Sequence, residues 1–418
     1  MKDQKHSGKN AYDLLKENRS LIVKEMMRLK HCSRTDLSRI TGLTQASITK
    51  IIGGLMQLGI VEENGVEKTG RGRSKILLSL KEDNLRAIGI VLSRTYFSAG
   101  VFDVSGKKLI SDYISIEPNE KPQEVIDHII SIIHQYIEQT KNIIAVGVAV
   151  PGPYMRHEGC ISQLTEFEGW ENFNIVDALQ KNISIPVFVE HDANAAALSE
   201  WWFGETRYHS LVYFTTVDGV GAGVIEKGKI LLGKDGIAGE IGHMSIDIHG
   251  RPCHCAPNRR GCLEQYCSSI SFERDILQEL PHYPESAMNA SLAEKHQVDC
   301  HDVFRLAQQG DEFAEKMTNQ LVQYLAIGIS NLVNIYNPEV IILNEPVSYG
   351  GDYLKEKIKE ATKEQVFPAM SSRLNIRFSQ LHEDPFLLGA MMVAVNRFLD
   401  NPTAMIRKAN PANPSANS

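Results

Sequence analysis

The sequence predicts an α/β protein in which a small, basic, helical module precedes a larger body. From Leu85 onward, β-rich runs alternate with amphipathic helical runs, which is typical of an α/β architecture in two lobes. Residues 34–58 have a different pattern, that of two helices joined by a tight turn. Residues 1–80 hold 15 Lys and Arg against 8 Asp and Glu, a net charge of +7, whereas the whole chain carries −7. The first part alone is therefore suited to a polyanionic partner.

The composition is that of an ordinary globular protein. A length of 418 residues exceeds one simple core, and 43% of the residues are apolar and 23% charged. The sequence contains no uncharged apolar run of about 18 residues, as a membrane helix would need, and its first ten residues lack the apolar core of a secretion signal. We therefore expect a cytoplasmic protein with no membrane partner. Seven cysteines, three of them at Cys253, Cys255 and Cys262, favour metal binding over disulfides there.

The N-terminal module is predicted to have a core of three helices. The first is expected at about residues 19–30. Gly42 provides the turn between the next two helices, and the Thr44 hydroxyl can cap the last one. Apolar residues at helical spacing form one face of that last helix: Ile48, Ile51, Ile52, Leu55 and Leu58. Its opposite face carries polar side chains that can reach base edges and phosphates: Gln45, Ser47, Thr49 and Lys50.

Two further runs predict a two-stranded wing. GIVEENG (59–65) and GRGRSKILLSL (70–80) would pair, with Asn64-Gly65 as the turn. Arginines that flank a glycine can enter a narrow minor groove of DNA. Residues 1–80 are therefore predicted to form a winged helix-turn-helix domain that binds double-stranded DNA. Its candidate contacts are Ser33, Arg34, Thr44, Gln45, Ser47, Thr49, Lys50, Arg71 and Arg73. The alternative is a protein-interaction module with a solvated basic face.

The body begins with three strands that predict an antiparallel meander. They lie at residues 86–93, 97–106 and 108–116, and an amphipathic helix at 121–140 and a buried strand at 143–150 follow. The second set consists of a strand at 185–192, a helix at 193–204 and strands at 210–217 and 221–228. Helices dominate after Leu263, apart from a strand at 339–344, and a closing helix lies around 386–399. Residues 401–418 are poor in apolar residues and are predicted to be a disordered tail.

Five motifs then occur in a specific order: VGVAVPGP (146–153), HDANAAALSE (191–200), DGVGAG (218–223), AGEIGHM (238–244) and CHCAPNRRGCLEQY (253–266). In these motifs the body resembles the ROK family, which groups sugar-responsive repressors and sugar kinases on an actin/hexokinase-like (ribonuclease H-like) fold. The resemblance implies an N-terminal lobe at 81–195 and a C-terminal lobe at 196–400 that holds a zinc loop and dimerisation helices. With the winged helix in front, it extends to the repressor branch of xylose and N-acetylglucosamine type.

One imidazole and three cysteines lie within twenty residues of each other. His243, Cys253, Cys255 and Cys262 make a tetrahedral set that suits Zn²⁺ and leaves no open position for catalysis. In ROK proteins this set is a structural zinc site beside the sugar pocket. Six residues separate Cys255 from Cys262, where the family usually has four. The open alternatives are His249, His254 and Cys267 as ligands, or reduced, buried cysteines without a metal.

The resemblance also implies a sugar pocket. Its residues would be Asn172, Asp192, Glu240, His243 and Glu264, whose carboxylates and imidazole supply the donors and acceptors that vicinal hydroxyls need. Asp192 occupies the position of the general base in ROK kinases. At the preceding position, kinases generally have asparagine and this chain has His191. His191 is also predicted to line the pocket, and the change from asparagine would alter the selectivity for the sugar. Basic candidates for a phosphorylated sugar are Arg156, His157, Arg207, Arg259 and Arg260.

Three departures from the kinase pattern imply that ATP is not bound. Val91-Leu92-Ser93-Arg94-Thr95 replaces an Asp-x-Gly-Gly-Thr phosphate turn, and Val217-Asp218-Gly219 replaces Gly-Thr-Gly. Asn344-Glu345-Pro346 stands where the family has a Gly-Gly turn. Asp192 would then hold a sugar hydroxyl instead of acting as a base, and no catalytic residue is expected. The glycines of 219–223 would be a structural turn.

The sequence thus predicts a sugar-responsive transcription regulator that is not an enzyme. We expect a repressor of carbohydrate uptake or catabolism genes, released from its operator by a sugar or sugar phosphate and acting as a homodimer or tetramer with a structural zinc ion. The alternative enzyme is an ATP-dependent sugar kinase of the ROK family. A protein effector and activation in place of repression also stay open.

Overall fold

A computed structural model of the chain describes residues 10–69, 73–162 and 169–409, with side chains described for all of these except 68, 69, 73 and 407–409. Its helices are α1 (Ala11–Leu29), α2 (Arg34–Thr41), α3 (Gln45–Gln57), α4 (Pro122–Gln139), α5 (Ile175–Gln180), α6 (Asp192–Phe203), α7 (Glu264–Cys267), α8 (Ser269–Glu279), α9 (Met288–Lys295), α10 (Cys300–Gln308), α11 (Glu312–Tyr336), α12 (Gly351–Lys363), α13 (Pro368–Ser371), α14 (Pro385–Asp400) and α15 (Pro402–Ala409). Among these described helices, none is long and apolar enough to cross a membrane.

The strands are shorter and fall into four sheets. They are β1 (Val61–Thr69), β2 (Arg73–Leu80), β3 (Arg86–Leu92), β4 (Tyr96–Asp103), β5 (Lys108–Ser115), β6 (Ile143–Val150), β7 (Tyr154–Met155), β8 (Cys160–Ile161), β9 (Val187–His191), β10 (Ser210–Thr215), β11 (Gly221–Glu226), β12 (Lys229–Ile230), β13 (Val340–Leu343) and β14 (Ile376–Phe378). The order is β5-β4-β3-β6-β9 in one five-stranded sheet and β12-β11-β10-β13-β14 in the other. The remaining sheets are the pairs β1-β2 and β7-β8.

Local capping explains the three helices of the N-terminal module. Gly42 ends α2 in the left-handed region at φ 71°, and the Thr44 side chain accepts from the Ser47 backbone N–H to start α3. The predicted turn and cap are therefore confirmed. The first helix begins earlier than residue 19, because Asn10 and Asp13 form a reciprocal capping box at its start.

The wing differs from its prediction at Asn64-Gly65. Strand β1 continues through both residues, and its register against β2 shifts between Glu63 and Val66. Gly65 has φ 94°, which suits a β-bulge as well as a turn. The predicted turn is therefore wrong: the pair lies at a register shift inside β1, and the pairing with β2 continues to Thr69 and Arg73.

The chain divides into two compact units. Unit 1 comprises Met1–Val150, Asn174–Glu190 and Ala390–Ser418, so the winged helix belongs to the same unit as the first five-stranded sheet. In that sheet β3, β4 and β5 form the predicted antiparallel meander, and β6 pairs in parallel with β3. The units are thus not the continuous segments 81–195 and 196–400 that the family pattern suggested.

The end of the chain also differs from its prediction. Residues Pro402–Ala409 form helix α15, in which Met405 and Ile406 are buried. A disordered tail from residue 401 is therefore wrong for these residues, because their apolar side chains find a packing surface that average composition does not reveal. Lys24 of α1 forms a 2.6 Å ion pair with Asp400, and Arg19 donates to the Thr403 hydroxyl at 3.3 Å. Residues 410–418 lie outside the described part.

Unit 2 comprises Pro151–Phe173 and His191–Gly389. Strand β10 pairs antiparallel with β11 and parallel with β13, and α6 packs against β10 and β11. The packing is close: a Cβ on Gly223 would lie 2.1 Å from the Ala193 carbonyl oxygen of α6. Gly223 therefore serves helix-to-sheet packing. The predicted structural turn at 219–223 is wrong for Gly221 and Gly223, which pair with β10 inside strand β11.

Candidate functional site

The four predicted metal ligands converge in unit 2. His243 ends a 3₁₀ turn (Ile241–His243), and the three cysteines lie in the loop before α7. One ligand atom from each residue lies within 4.8 Å of the other three. Cys253 Sγ is 3.9 Å from His243 Nδ1, and Cys255 Sγ is 3.8 Å from Cys262 Sγ. A tetrahedral zinc ion with Zn–S bonds of about 2.3 Å needs sulfur atoms about 3.8 Å apart, so the donor set fits this ion.

Backbone hydrogen bonds hold this loop in shape. The Cys253 N–H donates to Arg259 O at 2.9 Å, and the Leu263 N–H donates to Met244 O at 2.9 Å. Gly261 has φ 70°, and a Cβ there would lie 1.8 Å from Asp247 O, so only glycine fits this crossing. Residues 256–260 are all exposed. The extra length of the loop therefore extends to solvent while the four ligands stay together.

The alternative ligands do not join this group. Cys267 is buried in α7 and its thiol donates to Leu263 O at 3.5 Å. Burial raises the pKa of the Cys255 and Cys262 thiols, and the neighbouring Cys253 raises it further at both. Metal binding at such thiols releases protons, so the affinity of this cluster for a cation rises with pH.

The carboxylates and imidazole of the predicted pocket lie beside the metal cluster in the same unit. His191 ends β9 and Asp192 begins α6, with His191 Nε2 3.1 Å from Asp192 Oδ1. A Cβ on Gly152 would lie 2.6 Å from both Glu240 Oε1 and His191 Nε2. Gly152 was not predicted as a site residue, although its place in the VGVAVPGP motif was a signal. Its missing side chain is what lets Glu240 and His191 face the same point.

Glu264 is fixed by the glycine-rich segment 218–223. Its Oε2 accepts a hydrogen bond from the Val220 N–H at 3.0 Å, and a Cβ on Gly219 would lie 2.7 Å from the same oxygen. Asp218, the first residue of this segment, adopts φ 53° and is partly buried. The segment that in kinases approaches a phosphate therefore orients a carboxylate in this chain.

The neighbouring charged groups act on the Glu240 carboxyl. Burial raises the pKa of the Glu240 carboxyl, and the nearby Asp192 and Glu264 carboxylates add to the increase, while His191 and His243 oppose it. A carboxyl with a raised pKa can donate as well as accept a hydrogen bond. The group thus offers both hydrogen-bond donors and acceptors.

One predicted sugar residue is not shown at this site. Asn172 is exposed, adopts φ 60°, and donates its backbone N–H to Ile161 O at 3.1 Å. His191, Asp192, Glu240, His243 and Glu264 are brought together without it. Of the kinase positions, Val91 is buried in β3 opposite Ser98, and Asn344 is buried at the end of β13. Val91 lacks the carboxylate, and Asn344 the glycine backbone, that the kinase pattern has at these positions.

The predicted DNA contacts divide into two groups. Thr44, Gln45, Thr49 and Lys50 are exposed along the start of α3, and Ser47 is partly exposed there. Ser33 is buried, and its side chain caps α2 by accepting from the Asp36 N–H. Arg34 forms a 3.1 Å ion pair with Glu63 of β1. Arg71 and the side chain of Arg73 lie outside the described residues.

Comparisons with known proteins agree with this architecture. A family model described as ROK family matches residues 87–397. The xylose repressor of Caldicellulosiruptor bescii is 28% identical over 400 residues, with 94% of this chain and 98% of that protein covered. The glucokinase of Thermotoga maritima is 31% identical over 314 residues, with 75% of this chain and 98% of that protein covered. A crystal structure of a ROK family transcriptional regulator, a homolog of the E. coli Mlc protein, aligns with a TM-score of 0.80 at 26% identity and covers 94% of this chain and 99% of its own. The winged helix-turn-helix and the ROK body predicted from the sequence are confirmed, and this chain belongs to the ROK family.

Proposed function

We propose that this chain is a DNA-binding transcription regulator whose body binds a sugar or sugar derivative. One observation carries the proposal. The matches to a named repressor and to a ROK regulator structure cover 94% of the chain and include the winged helix, whereas the glucokinase match covers 75%. Repression of carbohydrate uptake or catabolism genes is the role that fits both the N-terminal DNA-binding module and the body.

The start of α3 is the proposed reading surface. An exposed helix that begins with polar side chains suits the major groove of DNA. Gln45 and Thr49 can reach base edges, and Lys50 can reach a phosphate. Ser33 is left out of this surface because it is buried as a cap, and the Arg34 guanidinium is already paired with Glu63.

A sugar is proposed to bind at Glu240, Glu264, Asp192 and His191. His243 joins them from the metal cluster: its Nδ1 faces Cys253 Sγ, so its Nε2 is available to a sugar hydroxyl. Asn172 stays a proposed contact that reaches the ligand from an exposed position. The ligand of this site is a polyol ring with vicinal hydroxyls, because clustered carboxylates and imidazoles suit such groups.

Zinc is proposed as a structural ion held by His243, Cys253, Cys255 and Cys262. Three thiolates and one imidazole fill the four positions that Zn²⁺ prefers, so the ion would order the loop and supply no reaction. Through His243 the same ion would fix one wall of the sugar pocket.

ATP-dependent phosphoryl transfer is not part of the proposed function. Phosphoryl transfer depends on positioned donors and charge compensation around the phosphates. Asp218 adds a negative charge where kinases of the family have a hydroxyl. Val91 stands where those kinases have the carboxylate that acts on the magnesium ion. Asp192 at the base position would then only hold a sugar hydroxyl.

The regulation is proposed to be a population shift. Sugar would favour a state in which paired winged helices of a homodimer or tetramer no longer match the spacing of two operator half-sites. Couplings of this kind are typically about 1–3 kcal/mol, or roughly a five- to 150-fold change in DNA affinity. A ligand that binds both states equally would change nothing.

Fluorescence anisotropy tests the proposal. The chain is titrated onto the DNA upstream of its own gene and onto random DNA of the same length, at fixed salt because phosphate contacts make affinity salt-dependent. A panel of sugars, sugar phosphates and ATP is then added. Tight, selective binding that one sugar weakens several-fold supports the proposal. No preference for the upstream DNA, together with ATP binding, would favour a kinase, and sugar-independent release in cell extract would indicate a protein effector.

A further inference from the structure

Arg259 occupies an unusual place in the loop that carries the cysteines. Its guanidinium Nη2 donates to the backbone carbonyl of His243 at 2.6 Å. Its own carbonyl accepts from the Cys253 N–H at 2.9 Å, and its N–H donates to Ala256 O at 3.1 Å. One residue therefore ties the main chain of two cluster residues, His243 through its side chain and Cys253 through its backbone.

Cys262, a third member of the cluster, approaches the same carbonyl oxygen of His243. Cys262 Sγ lies 3.7 Å from the His243 carbonyl oxygen that accepts from Arg259. The guanidinium is thus close to a sulfur atom that would be a thiolate when a cation is bound. Three thiolates and a neutral imidazole around a divalent cation leave a net charge of −1, which a neighbouring positive charge stabilises.

We infer that Arg259 is a positioning residue of the metal cluster. Its guanidinium holds the backbone of His243 at the turn and offsets the negative charge of the thiolates, and both effects raise the affinity for zinc. Partners outside the ligand set orient ligands in this way at other metal sites, and their loss typically lowers metal affinity about 10–100-fold. The inference rests on the proposed zinc site.

The loop supplies a matched control in Arg260. That residue has the same charge, is also exposed, and makes a comparable single bond from its guanidinium to a backbone carbonyl, that of Gly250 at 3.0 Å. A third arginine, Arg251, is already neutralised by Asp275, with Nη1 2.8 Å from Oδ2. Arg259 differs from both neighbours in that its bond is made to a cluster residue.

The test compares the full-length wild type, Arg259→Gln, Arg259→Lys and Arg260→Gln. Each protein is loaded with one equivalent of Zn²⁺, and transfer of the ion to a chromophoric chelator gives the affinity and the release rate. We expect Arg259→Gln to lower zinc affinity about 10–100-fold and Arg260→Gln to change it less than about two-fold. Arg259→Lys keeps the charge and loses the planar fork, so an intermediate value is expected.

A second readout separates positioning from loss of a ligand. With Co²⁺ in place of Zn²⁺, all four proteins should keep the same thiolate-to-metal absorption at saturation, because Arg259 is not a ligand. Equal zinc affinity of Arg259→Gln and Arg260→Gln would overturn the inference, as would a changed cobalt spectrum. A wild type that holds no zinc would overturn the zinc proposal and this inference together, whereas DNA and sugar binding are measured independently. Equal circular dichroism of the metal-free proteins shows that the variants fold alike.

Discussion

The winged helix of unit 1 and the polar site of unit 2 hold their functional groups in opposite ways. Gln45, Thr49 and Lys50 project into solvent from α3. In unit 2, Glu264 is bonded to the Val220 N–H, and Glu240 and His191 face the backbone of Gly152. The difference teaches that the proposed DNA surface can adapt side chain by side chain, whereas the proposed sugar site is held in place by backbone contacts and tolerates little change.

Loss of a metal ligand should have the largest effect, because it removes one corner of the preorganised site. In Cys253→Ser the hydroxyl is a poor substitute for a thiolate, so stoichiometric zinc should be lost and sugar binding with it. Zinc content by atomic emission and sugar binding by calorimetry check this. Cys267→Ser, at a buried cysteine outside the cluster, is the control and should keep its zinc. Equal zinc in the two variants would contradict the assignment of the ligands.

A methyl group added at a glycine should act in opposite directions in the two regions. In Gly223→Ala the new Cβ would meet the Ala193 carbonyl at 2.1 Å, so we expect the free energy of unfolding to fall by about 1–3 kcal/mol. In Gly53→Ala the Cβ meets no atom within 4 Å on α3, and helix propensity should raise the unfolding free energy by about 0.5–1 kcal/mol. Urea unfolding of both variants measures the two values.

The opposite signs of those two effects are essential to the comparison. An unfolding free energy that falls equally in both variants would show that α3 is packed as tightly as the contact between α6 and β11. The distinction between a rigid and an adaptable region would then be wrong.

Asp192→Asn tests whether the carboxylate holds sugar. The amide keeps the size and one acceptor of the side chain but loses the charge that strengthens a hydrogen bond to a hydroxyl. We expect sugar affinity to fall about ten-fold, or roughly 1.4 kcal/mol, with operator affinity unchanged in the absence of sugar. Calorimetry and anisotropy measure the two quantities. A loss of operator affinity in sugar-free buffer would contradict the separation of the two functions.

Lys50→Ala should have the smallest effect, because one exposed phosphate contact is lost. Affinity should fall a few-fold for operator and random DNA alike, and the slope of log affinity against log salt should decrease by about 1. Gln45→Ala is the contrasting variant and should relax the preference for operator over random DNA. Anisotropy at several salt concentrations separates them. If Lys50→Ala changed specificity and left the salt slope intact, the assignment of Lys50 to a phosphate would fail.

Local signals in the sequence were reliable for the winged helix. Gly42 and Thr44 act within a few residues of themselves, through a left-handed backbone and a cap, so sequence alone could predict the turn and the start of α3. Asn64-Gly65 is equally local, but the pairing of β1 with β2 decided between turn and bulge. Helix α15 was not predicted, because the average composition of residues 401–418 does not indicate that Met405 and Ile406 are buried.

The candidate site was predictable in its residue types and not in its contacts. The spacing of His243 and the three cysteines, and the order of the family motifs, pointed to residues that do come together. The bonds from Val220 to Glu264 and from Arg259 to His243 join residues 44 and 16 positions apart. No periodicity or local propensity encodes such pairs, because folding of the whole unit brings them together.

The central claim is that one chain couples a sugar site to a DNA surface, and reciprocal titration tests it most directly. The affinity for the sugar that releases the operator is measured by calorimetry, with the protein free and with the protein saturated by operator DNA. Thermodynamic linkage requires the operator to weaken sugar binding by the same factor by which sugar weakens operator binding. We predict equal factors between about five and 150. Sugar affinity that is unchanged by saturating operator would contradict the account.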